Sequence, residues 1–425
     1  MSRLASLPAA SRNFWLGVLN GLFFTLAETL IDPTLVLVAF VSRLTDSPVL
    51  IGLVAPLRDG AWFLPQFWLS GYVQSLPVKL TLYRRTAVAR LITWGALAAL
   101  TLAAPAPGVM LVGFFIAFGA YAIASGFGGL AFMEVVAKTV PPSRRVVFFA
   151  WRLFSGGLAG LGAAALVRWL LSEAAPLAFP GNFSLLFGLG WIAAALGLAA
   201  FGLIREPPDV RPRPRVSAGI QLGRAWQALR ADASFRRLIY VRSSLLLAGA
   251  AVPFFAVYVR TQLGGPPEMV GAYLSVYTVA SLFTNVVLGR LAGRLGNRRL
   301  LLVGVWASLA MTGLVAALAG AAAGWGVSGP TAAWWLVPAF ALAGVRETSV
   351  GISGQPLLME IAPADDRPLY LGFSNTLLGV VLLSTGLSGV VVAALGFETL
   401  LGVSLAAGLL AWLAARRLQE PPRPA

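Results

Sequence analysis

The stretch GRLAGRLGNRRLLLVG, residues 289–304, joins two long apolar segments of the chain. It contains four arginines and four glycines among its sixteen residues. Basic residues concentrated in a short connection between apolar segments are typical of the cytoplasmic side of a membrane protein. This stretch therefore predicts that the chain crosses a membrane and turns here on the inner side.

The composition of the whole chain supports a membrane protein. Apolar residues make up 58% of the 425 residues and charged residues 11%, whereas soluble domains carry about 25% charged residues. The mean hydropathy is +0.82. A large soluble protein with very apolar helices is the alternative, but a soluble core does not need so many long apolar segments. We predict an all-α membrane protein.

The apolar segments have the length of transmembrane helices, which need about 20 mostly apolar residues. The N-terminal residues before the first segment lack an apolar stretch of their own, so we expect an uncleaved first helix and no signal peptide. Twelve spans are predicted, near residues 13–40, 48–72, 86–105, 108–137, 146–171, 183–204, 238–260, 268–290, 299–321, 331–359, 368–394 and 397–415.

The basic residues predict the orientation of these spans. The net charge is +16, and most of the lysines and arginines lie in alternate connections, which the positive-inside rule assigns to the cytoplasm. Only Arg43, Arg168 and Arg260 fall in the predicted outer loops. We predict a multi-pass protein of the cytoplasmic membrane with both termini inside. Because the basic residues are scattered among short loops, we expect no nucleic-acid partner.

The chain has neither cysteine nor histidine. Disulfides and metal sites built on these residues are therefore excluded, and we expect no metal and no cofactor. The common hydrolase motifs HExxH and GxSxG are also missing. A membrane enzyme would have few catalytic groups to use, so we expect a protein that is not an enzyme. Any proton chemistry must use carboxylates.

Two halves of the chain resemble each other weakly at an offset near 220 residues. SPVLIG (47–52) matches PPEMVG (266–271), GGLAFMEVV (128–136) matches GQPLLMEIA (354–362), and each half ends alike, as REPP (205–208) or QEPP (419–422). Such register indicates a duplicated unit. We predict a six-helix bundle over 1–204, a cytoplasmic linker over 205–237, and a second six-helix bundle over 238–425.

The linker is the longest polar segment. Its first part is rich in proline and arginine and cannot form a regular helix. Its second part, near 217–233, places Ile220, Trp226 and Leu229 among polar residues. This pattern favours a short amphipathic helix at the inner membrane surface, and a plain linker remains the alternative.

The stretch 289–304 resembles the signature G-x-x-x-D-x-x-G-R-[RK] of the major facilitator superfamily, which lies between the second and third helices of each half. Gly289 and Gly296 match it, Arg298 and Arg299 supply its basic end one residue further along, and Gly293 stands at the acidic position. In the first half, Gly71 matches and Ser75 replaces the acid. We interpret the matching residues as a cytoplasmic gate motif, although the missing acids leave out the family's usual gating ion pair.

This resemblance covers nearly the full chain and implies the fold of that superfamily. The fold comprises twelve transmembrane helices in two pseudo-symmetric six-helix bundles around a central cavity, with the substrate site between the halves. The resemblance also implies secondary active transport of a small molecule by alternating access. We expect a monomer in the lipid bilayer.

Charged residues deep in predicted spans are the main site candidates, since a charge at mid-bilayer costs roughly 2.5–3.5 kcal/mol on insertion scales. Neighbouring residues on a helix point about 100° apart. We therefore expect Arg346 and Glu347 to find partners elsewhere, and likewise the second adjacent pair. Arg90, near a span end, is expected to snorkel. The deep charges are Glu28, Asp32, Arg58, Asp59, Arg346 and Glu347.

Glu28 and Asp32 are four residues apart and would share a helix face. Mutual repulsion and burial both favour the protonated form of a carboxylate. We predict that Glu28 carries the coupling proton, with Asp32 or Asp59 as helper and Arg58 as charge partner. Fixed ion pairs that only hold helices together are the alternative.

The remaining candidates belong to the substrate cavity. Arg346 and Glu347 would contact substrate or bridge the halves. Polar residues within spans would line the cavity or form interhelical hydrogen bonds, and both interpretations stay open. These polar candidates are Asn20, Gln66, Asn285, Gln355 and Asn375.

The transporter class is not decided by the sequence. The predicted fourth span has no arginine and the fifth has no GPxxGG element, so features usual in proton-driven drug exporters of the family are missing. Transport without proton coupling, by a uniporter or a lipid or drug exporter, stays open. So does a sensor or structural protein on a transporter scaffold.

Overall fold

The computed structural model describes residues 9–172, 175–209, 218–363 and 366–418. Within these ranges the secondary structure is helical, and they contain no strand. The QEPP repeat at 419–422 and residues 210–217 of the predicted linker lie outside the described residues. Helices satisfy their backbone hydrogen bonds internally, which a segment in the bilayer requires.

Eight helices of the described residues precede the linker. In chain order they are α1 (Ala9–Leu30), α2 (Val36–Val41), α3 (Pro48–Phe63), α4 (Gln66–Ser75), α5 (Leu80–Ala103), α6 (Pro107–Thr139), α7 (Pro142–Leu170) and α8 (Gly181–Gly202).

Another nine helices of the described residues begin within the linker or after it. They are α9 (Ala218–Ala231), α10 (Ala233–Ala248), α11 (Val252–Gln262), α12 (Met269–Leu295), α13 (Asn297–Trp325), α14 (Gly329–Ile361), α15 (Arg367–Ser384), α16 (Ser388–Leu395) and α17 (Phe397–Arg416), with a 3₁₀ turn at Thr385–Leu387. Helix α9 lies within the segment predicted to be amphipathic, and its place at the membrane surface stays a prediction.

Nine helical segments of the described residues are long and apolar enough to cross a membrane. By length and composition these segments indicate a multi-pass membrane protein. The predicted spans 13–40, 48–72 and 331–359 are helical but are not among the nine. The second is divided into helices of 16 and 10 residues, and the other two contain charged residues that lower their hydropathy.

Helix breaks occur at corresponding places in the two halves. Helix α1 ends at Leu30 and α2 begins at Val36, around Pro33, whereas α10 ends at Ala248 and α11 begins at Val252, just before Pro253. Proline lacks the N–H of a helical hydrogen bond and disfavours the helical conformation of the residue before it. The repeat offset relates Pro33 to Pro253, so the breaks belong to the repeated pattern.

The chain divides into two compact units by its internal contacts. Unit 1 comprises Met1–Asp32 and Trp68–Val216, and unit 2 comprises Pro33–Phe67 and Ser217–Ala425. This division differs from the repeat boundaries, because residues 33–67 group with the second half of the sequence. The division into 1–204, 205–237 and 238–425, which rests on the sequence repeat, stays a prediction.

In unit 1, the core contains a cluster of buried side chains from α1, α5, α6, α7 and α8. Trp94, at 1% exposure, lies among Phe118, Tyr121 and Phe187 and donates a hydrogen bond to the Phe187 carbonyl. Such aromatic contacts together with a satisfied indole N–H stabilise a helix interface. These contacts join α5 to α6 and α8.

In unit 2, α3 packs against α15, α16 and the 3₁₀ turn between them. A Cβ atom on Gly389 would overlap the backbone of Pro48 and Val49. The small residue therefore permits the backbones to approach closely, as in other membrane helix pairs. This packing explains why residues 33–67 belong to unit 2.

Candidate functional site

Four charged residues of unit 2 form the main candidate site, which we call the charge quartet: Arg58 and Asp59 of α3, and Arg346 and Glu347 of α14. Arg58 Nη1 lies 3.3 Å from Asp59 Oδ1, and Arg346 Nη1 lies 3.3 Å from Glu347 Oε2. The negative charge of Glu347 also acts on the Asp59 carboxylate. The fold thus places Asp59 and Glu347, 288 positions apart in sequence, within the range of charge–charge interaction.

The expectation that adjacent residues do not pair was wrong for both pairs. Although Cα–Cβ bonds of helix neighbours diverge, the arginine side chain is long and flexible enough to turn its guanidinium back to the neighbouring carboxylate. The contacts of 3.3 Å are longer than the 2.7–2.9 Å of a strong charged hydrogen bond. The pairs are therefore loose, as their divergent starting directions require.

Arg346 does have a second partner, as expected. Its Nη2 donates a hydrogen bond of 2.6 Å to the carbonyl oxygen of Leu245, in the last turn of α10. The guanidinium lies against Gly249, where a Cβ atom would stand 2.6 Å from Nη2. The C-terminal end of a helix carries partial negative charge, which a cation stabilises. Arg346 thus caps the half-helix α10 at its break.

The four members differ in exposure. The Glu347 side chain is 63% exposed and that of Asp59 45%, whereas that of Arg346 is 11% exposed. The carboxylates are therefore the more accessible members. Mutual repulsion between two nearby carboxylates is relieved when one of them binds a proton or a cation.

Glu28 and Asp32 lie in unit 1, at the end of α1. Glu28 is in the last turn of the helix, but Asp32 is beyond its end, next to Pro33. The prediction that they share a helix face was wrong, because a helical spacing of four residues has no meaning across a helix break. Both side chains are partly buried. Their predicted proton-carrying role stays a prediction.

Asn20 forms an interhelical network in unit 1. Its Nδ2 donates to the Gly197 carbonyl at 2.8 Å and to the Tyr83 hydroxyl at 3.3 Å, and its Oδ1 accepts from Arg152 at 2.9 Å. Arg152 also bonds the Gly17 carbonyl and lies over the ring of Phe132. The amide therefore connects α1, α5, α7 and α8, which supports the hydrogen-bonding interpretation of Asn20.

Arg90 was expected to snorkel, and this was wrong. It is 6% exposed and lies over the rings of Phe24 and Tyr121, with a hydrogen bond of 3.2 Å to the Tyr121 hydroxyl. Cation–π contacts and a hydroxyl acceptor allow the charge to stay buried. The sequence contains no local pattern that predicts this environment.

Two of the predicted polar cavity residues pair in unit 2. Asn375 Nδ2 donates to Gln66 Oε1 at 3.0 Å, and both side chains are buried. They join α15 to α4, and Gln66 Nε2 also donates to the Trp62 carbonyl at 3.3 Å, whereas Asn375 Oδ1 has no hydrogen-bond partner among the described residues. Gln355 is exposed on α14. None of these contacts tests the predicted cavity role.

The gate motif of the second half lies between α12 and α13. Gly296 has φ of 82°, a conformation that favours glycine. Arg298 donates to the carbonyls of Ala415 at 3.2 Å and Arg416 at 2.8 Å, at the end of α17. Arg299 and Gly289 are exposed, and Gly71 of the first half lies in α4. The motif's arginine therefore secures a helix end within unit 2.

In the first half, the motif loop that begins at Gly71 has Ser75 in place of the acid. Two acids of the segment REPPD (205–209) lie beside the end of this loop instead. Glu206 is fully buried; its carboxylate accepts hydrogen bonds from the backbone N–H groups of Lys79 and Leu80 at 3.1 and 2.6 Å, and from Lys138 Nζ at 2.7 Å. Asp209 forms ion pairs with Lys79 and Lys138. We call Lys79, Lys138, Glu206 and Asp209 the ionic cluster.

Sequence reasoning missed this cluster. The sequence signal that could have indicated it is the EPP pattern at the end of each half, because this pattern places an acidic residue shortly after the sixth predicted span. Hydrogen bonds from Lys138 and Lys79 hold the pKa of Asp209 below its usual value. The N-terminal end of α5 receives the negative charge that a helix dipole favours there.

Sequence comparison finds a family match for the second half of the chain. Residues 243–425 match the model of the Major Facilitator Superfamily. No curated protein matches the chain in sequence. The matched region contains the gate motif 289–304 on which the predicted resemblance rested.

Comparison with solved structures covers nearly the whole chain. An auto-inhibited POT family peptide transporter has a TM-score of 0.73 at 18% identity, over 97% of this chain and 99% of that one. The nucleoside transporter NupG (D323A mutant) has a TM-score of 0.69 at 16% identity, over 96% and 98%. A D-xylose–proton symporter has a TM-score of 0.65 at 19% identity, over 94% and 96%.

At these identities the structural likeness shows the fold alone, which is that of membrane transporters. Together with the match over residues 243–425, it points to a transporter and not to an enzyme. The predicted resemblance is thus confirmed: by the sequence of its second half and by its fold, the chain is similar to the transporters of the Major Facilitator Superfamily.

Proposed function

We propose that the chain is a secondary active transporter that moves a small molecule across the cytoplasmic membrane by alternating access. In this proposal twelve transmembrane helices form two six-helix bundles, and both termini are cytoplasmic. The family match and the fold of the structural neighbours support transport as the activity.

The charge quartet is the observation that carries the proposal. Charges in membrane segments are costly and mark substrate or ion pathways. The two pairs on α3 and α14 are loose, and their carboxylates are the exposed members. A substrate or proton can exchange with such pairs at lower cost than with a tight, desolvated ion pair. We assign the quartet to substrate and ion binding.

Proton coupling belongs to the proposal as well. Asp59 lies between the attraction of Arg58 and the repulsion of Glu347, so its charge state responds to changes at either neighbour. We propose Asp59 and Glu28 as proton-carrying carboxylates, with Asp32 as helper. Of the three similar structures described above, one is named a D-xylose–proton symporter and the other two are named a peptide transporter and a nucleoside transporter, so the substrate of this chain is not inferred from them.

The first experiment identifies a ligand. A thermal-shift screen of the purified full chain against metabolites, drugs and lipids, at two pH values, detects any molecule that binds the folded state, since such binding stabilises it. Transport of each hit is then measured in proteoliposomes with and without a pH gradient. Uptake accelerated by the gradient supports a proton-coupled transporter.

Matched variants test the assigned residues. We expect Asp59→Asn and Glu28→Gln to abolish the acceleration by the pH gradient, while Asp366→Asn, which removes an exposed ion pair with Arg224, leaves it intact. Gradient-independent transport by the unaltered chain would contradict coupling and favour a uniporter or an uncoupled exporter. A chain that binds hits but transports none of them would favour a sensor.

A further inference from the structure

A cavity lies within unit 2, at the end where α2 joins α3. Its volume is about 240 Å³. It is bounded by residues of the segment 42–51, by one face of α11, and by the facing ends of α16 and α17. None of the residues that line it belongs to the charge quartet.

The cavity has an apolar floor and a polar mouth. Ile51, Phe254 and Phe397 line the floor and are buried, at 5%, 3% and 7% exposure. Asp46 and Gln262 line the mouth and are exposed. Pockets for small molecules typically combine a largely apolar wall with a few polar groups that orient the ligand.

The size of the cavity limits what it can hold. An engineered apolar cavity of about 150 Å³ binds benzene. A volume of about 240 Å³ therefore accommodates one aromatic ring with a short side arm. A ring fits the floor by chemistry also, since Tyr258 and Phe397 already stack there with ring centroids 4.3 Å apart and aromatic rings favour edge and offset contacts with a third ring.

The charge at the mouth of the cavity determines which charge on a ligand is favoured there. Of the described residues that line the cavity, Asp46 is the one that carries a formal charge. Arg260 interacts with Asp46 electrostatically, but its guanidinium donates to the Ser42 carbonyl at 3.2 Å and does not line the cavity. A cationic group at the mouth gains the attraction of Asp46, whereas an anionic group meets its repulsion.

We propose that this cavity is a binding site for a small arylalkyl ammonium compound. The aromatic ring occupies the floor among Ile51, Phe254 and Phe397, and the ammonium group lies beside Asp46, with the Gln262 amide and nearby hydroxyls as further polar contacts. The site is separate from the charge quartet and does not depend on the proposed transport activity.

A ligand here would act on the conformation of the protein. The wall combines the α2–α3 connection with α11, α16 and α17, so the cavity exists only while these elements keep their present arrangement. A ligand that fits this arrangement stabilises it in proportion to its occupancy. The site is therefore suited to a modulator that holds unit 2 in the arrangement described here.

Calorimetric titration of the purified full chain in detergent tests the proposal with three matched probes. Phenethylammonium is the cation, phenethyl alcohol is the neutral analogue of similar shape, and phenylacetate is the anion. We expect the affinities to rank in that order, with phenethylammonium at least tenfold tighter than the alcohol. Equal affinities of cation and alcohol would overturn the proposal.

Two variants locate the site. Asp46→Asn should weaken phenethylammonium at least tenfold and leave the alcohol within twofold, because it removes charge without changing size. Val392→Trp, which places an indole in the cavity, should abolish binding of both. Circular dichroism and the unfolding temperature without ligand check that each variant folds. Unchanged cation binding in both folded variants would overturn the proposal.

Discussion

Arg346 Nη2 donates a hydrogen bond of 2.6 Å to the carbonyl oxygen of Leu245, and so a charged residue of α14 caps the half-helix α10 at its break. That carbonyl already accepts the Gly249 N–H at 3.1 Å, so the arginine adds a second, charged donor at the negative end of the helix dipole. The next residue, Glu347, pairs with the same guanidinium at 3.3 Å. A structural contact and a proposed binding role therefore meet at adjacent residues.

The first prediction separates these two roles. Arg346→Gln should lower the free energy of unfolding by about 2 kcal/mol, since hydrogen bonds to charged groups contribute about 1.5–3 kcal/mol. Glu347→Gln should change it by less than about 0.5 kcal/mol, because the carboxylate is largely exposed. Unfolding of both variants in detergent, followed by tryptophan fluorescence, checks this. Equal losses in the two variants would refute the capping role.

The second prediction concerns the close approach of α3 and α16. Gly389→Ala should destabilise the protein by about 1–3 kcal/mol, because a Cβ atom would overlap the backbone of Pro48 and Val49, which cannot move aside cheaply. Gly402→Ala is the matched control in α17, where a Cβ atom meets no atom within 4 Å. It should stabilise by about 0.5–1 kcal/mol through helix propensity. Thermal unfolding distinguishes the opposite signs.

The third prediction concerns the ionic cluster. Glu206→Gln should cost about 1.5–3 kcal/mol, the usual contribution of a hydrogen bond to a charged group, because the fully buried Glu206 side chain loses its charged bond to Lys138 while Asp209 still pairs with both lysines. Asp366→Asn disrupts an exposed pair with Arg224 and should cost less than about 1 kcal/mol. A small effect of Glu206→Gln on chemical denaturation would show that the cluster adds little to stability.

The fourth prediction is a pH dependence. Hydrogen bonds from Lys138 and Lys79 lower the pKa of Asp209 in the folded state, so its contribution to stability is complete above the unfolded pKa of about 3.9. The contribution is lost as the pH falls through the folded value. The unfolding temperatures of the native chain and Asp209→Asn should therefore differ most at pH 5–7 and converge below about pH 4. A constant difference from pH 3 to 7 would contradict it.

The helical fold was predictable because the length of the apolar segments matches the thickness of a bilayer, and because arginines concentrate in the loops on one side of it. The breaks were also readable, since Pro33 and Pro253 stand at equivalent positions of the repeat. Treating residues 13–40 as one helix ignored the first of these prolines, and this led to the wrong face assignment for Asp32.

The candidate site was predictable only in part. Charge in an apolar segment singled out Arg58, Asp59, Arg346 and Glu347, and the structure brings these four together. Their partners were not predictable, because the Leu245 carbonyl carries no side-chain signal and the rotamer of an arginine depends on packing. Lys79 and Glu206 are 127 positions apart, a separation at which sequence spacing indicates no contact.

Because residues 33–67 belong to unit 2, the chain is not expected to fold equally well when it is expressed as two separate pieces. A polypeptide cut in the linker leaves an N-terminal piece that carries α3 without α15 and α16, the helices against which α3 packs. The N-terminal piece then keeps the core of unit 1, whereas the C-terminal piece holds unit 2 without α2 and α3 and so has an incomplete core. The C-terminal piece should therefore be less stable when expressed alone and should regain stability when co-expressed with the N-terminal piece.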